Sequence, residues 1–326
     1  MSKNNNLHTA KATKNDEFYT QLEDIENELK YYKDYFKGKV VYCNCDGFLN
    51  KEKSNFFMYF SLNYEFLGLK GLICTKYNPN GKGKKHEYYG DLNGNNYPDE
   101  EEVFTSELEG DGDFRSEECI ELLKKCDIVC TNPPFSLFRQ YVAQLFEYKK
   151  DFLIIGNVNA ISYKEVFPLI KENKMWLGVS SFNKGMYFGV PDDYTYADTY
   201  KFDRERNCKK VMRVSSICWF TNLDHKKRHE ELVLYKKYNE EEYPKYDNYD
   251  AIEVSKVTDI PMDYEGIMGV PITFLNKYCP EQFEIVDLNP HFFSMIAKGL
   301  PKPKQLSLQN VNSKDPYARL LIKRIS

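Results

Sequence analysis

Asn132-Pro133-Pro134-Phe135 is the stretch of this 326-residue chain whose residue types are best suited to chemistry. Asn132 presents a side-chain carbonyl. Pro133 and Pro134 hold neighbouring backbone carbonyls outward and have no N–H of their own to satisfy, and Phe135 offers a flat face beside them. Such a corner suits the exocyclic amine of a planar heterocycle: two acceptors grip the NH2 protons while the ring stacks. Accepting from both protons draws the nitrogen lone pair out of ring conjugation and toward an electrophile. The plain alternative is a proline turn that caps a strand.

The elements that must position the corner can be read on either side of it. Cys126 to Thr131 has the β-branched apolar centre, Ile128 and Val129, of a buried parallel strand. The two prolines stop it, and Ser136 is placed to N-cap a helix over Leu137–Tyr148. Upstream, Leu22, Ile25, Leu29, Tyr32 and Phe36 recur at helical spacing and predict one helix from Gln21 to Phe36. Gly38 to Cys43 predicts a first strand whose polar loop, Asn44 to Gly47, precedes a helix from Ser54 to Phe60. The carboxyl end of such a strand is where open α/β sheets place ligands. Gly68 to Tyr77 predicts a second strand. Residues 78–104, rich in Gly, Asn, Lys and Tyr, read as a surface insertion. Asp111 to Ser116 opens a helix through Lys125, and its aspartates suit a helix start. Strands at Asp151–Val158, Met175–Val179 and Ser216–Asn222, with a helix at Tyr163–Lys171, complete an alternation that predicts a doubly wound α/β sheet.

Composition narrows the function classes. The net charge of −4 argues against indiscriminate nucleic-acid binding and allows a local basic cleft. Nine cysteines are scattered without paired spacing, which predicts reduced thiols, no disulfide framework and no metal site. No apolar run is long enough to cross a bilayer, and residues 1–14 read as a mildly basic arm without the apolar core of a signal peptide, so a cytoplasmic protein is expected. Neither a phosphate-cradling P-loop nor a dinucleotide fingerprint occurs. From residue 223 the pattern changes. His225-Lys226-Lys227-Arg228-His229 is basic, segments 243–252 and 261–283 are dense in tyrosine, proline and glycine, and the tail from Lys298 carries seven Lys or Arg against Asp315 alone. A charge run is commonly a solvated face. Interleaved with Tyr, Asn and Gln it also suits phosphate positioning with base reading, which makes Lys226, Lys227 and Arg228 candidates for DNA contact.

Asn-Pro-Pro-aromatic at a strand end is the signature of amino-methyltransferases. The segments DEFYT (16–20), VVYCNCD (40–46), GDGDFRS (110–116), DIVCTNPPFSLF (127–138), FLIIGNVNAISYKEVF (152–167), YPKYDNYDAI (243–252) and VPITFL (270–275) together resemble the EcoRI-type adenine-specific DNA methyltransferases. The resemblance implies a Rossmann-like S-adenosyl-L-methionine-dependent domain over 15–222 and a C-terminal target-recognition region over 223–326. It implies double-stranded DNA as substrate, adenine N6 as methyl acceptor, a palindromic target such as GAATTC, and a cognate restriction endonuclease. A monomer is expected. By motif, Phe18, Tyr19 and Thr20 would line the methionine end of the cofactor, and Asp113 and Phe114 its adenine. Asn44 and Asp46 are the polar side chains the first loop offers it. Trp219 or Phe220 would form the second wall of a target-base pocket that Phe135 begins, and either suits the core equally. Two departures stand out: no G-x-G follows Asp46, and no acidic residue ends the second strand. Pro-Cys, which cytosine-C5 chemistry needs, is absent, and Asn132 favours adenine over cytosine N4. An RNA or protein-glutamine N-methyltransferase, and a DNA-binding protein without catalysis, are the competing readings.

Overall fold

A computed structural model of the chain describes residues 19–48, 53–181, 185–189, 200–203, 209–246, 249–288 and 319–325. It forms two compact units, Met1–Ala160 with Ser180–Leu223, and Ile161–Val179 with Asp224–Ser326. The sequence reading ran the first domain unbroken to residue 222. The structure groups 161–179 with the residues that follow 223.

The first unit is mixed α/β around a large mixed sheet. Its middle is four parallel strands in the order β3 (Gly71–Lys76), β2 (Val40–Cys43), β6 (Ile128–Thr131), β7 (Asp151–Asn157). β6 is buried over its whole length, as the run Ile-Val-Cys-Thr requires of a strand covered on both faces. Beyond β7 lies the antiparallel β12 (Ile217–Thr221), with Trp219 opposite Ile155. Beyond β3 lie two more antiparallel strands, β4 (Lys84–Tyr88) and β5 (Phe104–Glu107). The region read as a surface insertion thus extends the sheet. His86 and Tyr88 alternate inward along β4, a two-residue period too short to stand out among the flanking lysines and glycines. A separate antiparallel sheet joins β1 (Tyr19–Thr20) to β9 (Met186–Gly189), then β11 (Lys209–Val214) and β10 (Tyr200–Asp203).

The helices of this unit begin where side chains satisfy their first N–H groups. Ser54 accepts from Phe57 N (3.2 Å) at the head of α2 (Asn55–Leu62), and Ser116 accepts from Cys119 N (3.2 Å) at the head of α4 (Glu117–Lys125). The predicted helix over 21–36 is shorter, because α1 (Leu22–Leu29) gives way to tighter turns, Tyr31 N bonding to Glu28 O and Tyr32 N to Leu29 O. That change lets Tyr32 bury its ring and donate to Glu28 Oε1 (2.9 Å). A one-turn helix, α3 (Tyr64–Leu67), ends at Gly68 in the left-handed conformation, as a C-terminal cap requires.

In the second unit, α6 (Phe167–Lys171) is five residues long where nine were expected, with Pro168 in its first turn. The short strand β8 (Trp176–Leu177) follows. A four-stranded sheet has the order β13 (Ile252–Glu253), β14 (Met268–Pro271), β16 (Arg319–Arg324), β15 (Phe283–Leu288). Its buried charge is paired: Arg319 Nη2 meets Glu253 Oε1 at 2.6 Å, and the Tyr246 hydroxyl donates to Glu253 Oε2. Among the described residues no helix is long and apolar enough to cross a membrane. The eight described cysteines are free thiols.

Candidate active site

The corner begins where β6 runs out. Thr131 is fully buried and Asn132 is the first partly exposed residue. Pro134 stays extended (φ −56°, ψ 122°), and its carbonyl accepts from Leu137 N at 3.0 Å, closing a 3-10 turn over Phe135–Leu137. The α-helix, α5 (Phe138–Glu147), starts only after that turn. Ser136 is therefore not its cap: the proline carbonyl closes the first turn, and Ser136 points into solvent. Asn132 and Phe135 both keep partial exposure as residues, while the Asn132 Oδ1 atom itself is buried.

A single carboxylate ties this corner to the loop after β2. Asp46 Oδ2 accepts the backbone N–H of Asn132 at 2.8 Å and the hydroxyl of Thr131. Thr131 Oγ1 in turn accepts from Cys45 N (3.1 Å). The Asp46 carboxyl oxygens are desolvated although the residue as a whole retains some exposure. Burial pushes the carboxyl up to about 6 against the two donors and the Lys76 charge, which pull it down. Beside it, Asn44 Oδ1 accepts from the Tyr141 hydroxyl of α5, and Asn44 O from Thr75 Oγ1 (3.1 Å). Ser54, at the head of α2, donates to Asp46 O at 2.5 Å. Gly47 closes the cradle. A Cβ there would lie 2.4 Å from Lys76 Cβ, so only glycine lets the loop approach the end of β3 this closely.

The remaining cofactor candidates gather on the same strand ends. Lys76 Nζ stands 5.9 Å from the Tyr19 ring centroid, and Asn55 Nδ2 donates to Thr20 O (2.7 Å). Thr20 is buried, and its Oγ1 has no hydrogen-bond partner among the described residues. Phe18 lies outside the described residues. Gly112 (φ +82°) packs against Lys76 O, which brings Asp113 and Phe114 to the end of β3. Asp113 is gripped by Arg115: Oδ1 accepts from its N and Nε (2.8 Å each) and Oδ2 from Nη2 (2.6 Å), which holds its carboxyl below the usual range. A carboxylate has about four lone-pair sites, so acceptor capacity remains on Oδ2. Phe114 is buried edge-on to Tyr141 (5.0 Å), with the Arg115 guanidinium 5.5 Å from its ring. Where an acidic ribose partner was sought, β3 ends in Lys76.

Other expected residues have structural partners. Trp219 and Phe220 are buried on β12, Trp219 edge-on to Phe56 (6.1 Å) and Phe220 tilted on Phe138 (5.2 Å). In the second unit, Arg228 lies 4.0 Å from the Trp176 ring centroid and donates to Asn173 Oδ1 (2.8 Å), and Lys227 Nζ donates to Val179 O (2.6 Å). Lys226 is exposed. Sequence reasoning passed over Thr131, Tyr141, Ser54 and Lys76. Thr131 adjoins the corner and was within reach of it. Tyr141 meets a residue 97 positions away, which no local pattern announces.

With this geometry in place, kinship becomes interpretable. The family model described as adenine-specific methyltransferase EcoRI matches residues 6–325. The chain belongs to that family. It is 51% identical to the Type II methyltransferase M.EcoRI of Escherichia coli over 97% of its own length and 95% of the relative's. It is 40% identical to M.MgeORF184P of Mycoplasma genitalium and 40% identical to M.MpnI of Mycoplasma pneumoniae, over 98% of each chain in both comparisons. No solved structure matches. Membership makes the chain an adenine-specific methyltransferase, and Asn132 to Phe135, at the carboxyl end of a central parallel strand, is its candidate catalytic corner.

Proposed function

We propose that this methyltransferase transfers the methyl group of S-adenosyl-L-methionine to N6 of adenine in a short double-stranded DNA target and so protects that DNA from a cognate restriction endonuclease. A palindrome such as GAATTC is the target its family resemblance implies. The first unit's parallel strands and reversed β12 support a Rossmann-like catalytic domain, with residues 223–326 as target-recognition region. The enzyme acts as a cytoplasmic monomer.

The residues on the strand ends fit the methyl donor. Asn44, Asp46, the unpartnered hydroxyl of Thr20 and the remaining acceptor of Asp113 are hydrogen-bonding groups suited to its polar ends, Tyr19 and Phe114 supply aromatic surface, and Gly47 lets the loop that carries Asn44 and Asp46 close onto Lys76. When bound, the donor supplies an electrophilic methyl on a sulfonium, which N6 takes while shedding a proton to solvent. The chain's own residues do the rest by positioning. Phe135 stacks on the flipped base, whose extrusion costs a few kcal/mol. The Asn132 side-chain carbonyl and the Pro133 backbone carbonyl accept from the amine. Asp46 holds the Asn132 backbone so that the acceptor and the donor's loop keep one geometry. Phe220 backs the corner through Phe138 while Trp219 packs on Phe56, and Lys226, Lys227 and Arg228 would meet DNA phosphates.

The observation that carries this reading is the Asp46 carboxylate, which joins the loop after β2 to the backbone of Asn132. Its test is transfer from labelled S-adenosyl-L-methionine to unmethylated duplex DNA, followed by nucleoside analysis and mapping of the modified positions. N6-methyladenine at one short sequence is expected. Donor binding with label appearing only in RNA or protein would overturn the DNA assignment.

A further inference from the structure

Between β4 and β5 the chain reads Asp91-Leu92-Asn93-Gly94-Asn95-Asn96-Tyr97-Pro98-Asp99-Glu100-Glu101-Glu102. Oxygen-bearing side chains stand at the first, third, fifth, ninth and twelfth positions, the spacing of a twelve-residue calcium loop. The backbone takes a matching course. Asp91 Oδ1 accepts from Gly94 N (2.7 Å) and Oδ2 from Asn96 N (2.7 Å). Asn93 Oδ1 accepts from Asn95 N (3.0 Å), Asn95 Oδ1 from Tyr97 N (2.8 Å) and Asp99 Oδ1 from Glu101 N (3.2 Å). Asn96 occupies the sixth position, where such loops turn sharply, with φ +58°.

Spacing and turns alone describe any well-ordered polar loop. Glu102 is what points to a ligand. The residue is 2% exposed, and its Oε1 accepts the N–H groups of Leu92 (2.6 Å) and Asn93 (3.1 Å), which draws the carboxylate into the first turn of the loop. Its Oε2 is buried with no hydrogen-bond partner among the described residues, and the Asp91 carboxyl lies within hydrogen-bonding reach of Glu102. A buried carboxylate oxygen that no donor reaches is unfavourable unless a proton or a cation satisfies it.

Lys53 is a positive group that reaches the loop. Its Nζ donates to Pro98 O and lies 4.9 Å from the Tyr97 ring centroid, where it feels Asp99, Glu100 and Glu102, but among the described residues it makes no ion pair with Glu102. It therefore leaves the Asp91–Glu102 junction to another cation. Asp99 Oδ2 takes the amide groups of Asn93 (2.6 Å) and Asn95 (3.0 Å), gathering the three side chains together. No three His, Cys, Asp or Glu side chains converge as a metal cluster among the described residues. The donor set relies instead on amide and backbone oxygens, as hard-cation loops do and transition-metal sites do not.

We propose that residues 91–102 bind one calcium ion, held by Asp91 and Glu102, the side-chain oxygens of Asn93 and Asn95, the carbonyl of Tyr97, and Asp99 directly or through water. The site is distinct from the strand ends that carry the candidate active site, and it does not depend on the reaction assigned there.

Calorimetric titration of CaCl2 into the metal-free full-length protein tests it. One ion per chain is expected, with a Kd between about 1 µM and 1 mM. Glu102→Gln keeps an acceptor for Leu92 and Asn93 while removing the charge, and should weaken binding at least about tenfold, as should Asp91→Asn. Calcium should also raise the thermal midpoint of the wild type and leave that of Glu102→Gln unchanged. Should Glu102→Gln fail to fold, Asp91→Asn decides alone. Absence of calcium binding up to about 10 mM in the wild type, or wild-type affinity in a folded variant, would overturn the assignment.

Discussion

Asp46 Oδ2 accepts the backbone N–H of Asn132 at 2.8 Å, so the loop after β2 and the corner after β6 share one carboxylate oxygen. The contact spans 86 positions of sequence and links the part of the site suited to the methyl donor with the part suited to the acceptor. The contact uses the backbone of Asn132, so a change of its side chain leaves the N–H to Asp46 in place.

That division of labour makes Asn132→Ala a clean variant. The N–H to Asp46 survives, so the fold and the affinity for the methyl donor should change little. Loss of the side-chain acceptor should lower kcat by about 10²- to 10³-fold or more. Single-turnover methyl transfer beside a donor-binding titration separates the two effects.

The pH dependence follows from Asp46. Its carboxyl is raised from 3.8 to about 6, chiefly by burial. Between those values the folded chain holds a proton that the unfolded chain has released, so this group's contribution to stability declines as pH rises through the window and is level above it. Activity should run the other way. Protonation of the carboxyl removes the charge that strengthens both bonds to Oδ2, from Thr131 and from Asn132, so kcat/KM should fall below pH about 6. Asp46→Asn should abolish that step in the profile while lowering activity throughout.

Gly156 on β7 is the packing counterpart of the corner. A Cβ there would meet Phe138 Cε2 at 2.5 Å and Phe220 Cε2 at 2.9 Å, and both rings are fixed in the core. Gly156→Ala should therefore destabilise the chain by about 1–3 kcal/mol through overpacking. Because Phe138 begins α5 directly after the corner, kcat should fall as well. Urea denaturation measures the first effect, and steady-state rates at a temperature where the variant is folded measure the second.

Tyr141→Phe removes the hydroxyl that donates to Asn44 Oδ1 and leaves that buried acceptor only the long contact from Cys45 Sγ (3.8 Å), at a cost of about 1–3 kcal/mol. The change falls on the loop after β2 and spares the corner itself. It should raise the KM for the methyl donor more than it lowers kcat.

Much of this arrangement was legible in the chain. Ile128 and Val129 before two prolines specify a buried strand and its abrupt end, and Ser54 and Ser116 mark their helix starts. Three features were not legible, each for a physical reason. The alternation of His86 and Tyr88 in β4 spans too few residues to rise above the lysines and glycines around it. The end of α1 is set by the burial of Tyr32, a tertiary effect that its helical spacing concealed. The Tyr141–Asn44 contact depends on how α5 packs over the sheet, which spacing within α5 does not reveal. The loop at 91–102 had a readable spacing of oxygen donors, but its meaning rests on the burial of Glu102, which only the structure supplies.

The most direct test of the central claim is to compare wild type and Asn132→Ala with labelled S-adenosyl-L-methionine and unmethylated duplex DNA, measuring donor binding and N6-methyladenine in the same samples. The account predicts equal donor binding, with N6-methyladenine formed by the wild type and lost in the variant. N6-methyladenine formed at the wild-type rate by Asn132→Ala would contradict it, because methyl transfer would then not depend on the corner after β6.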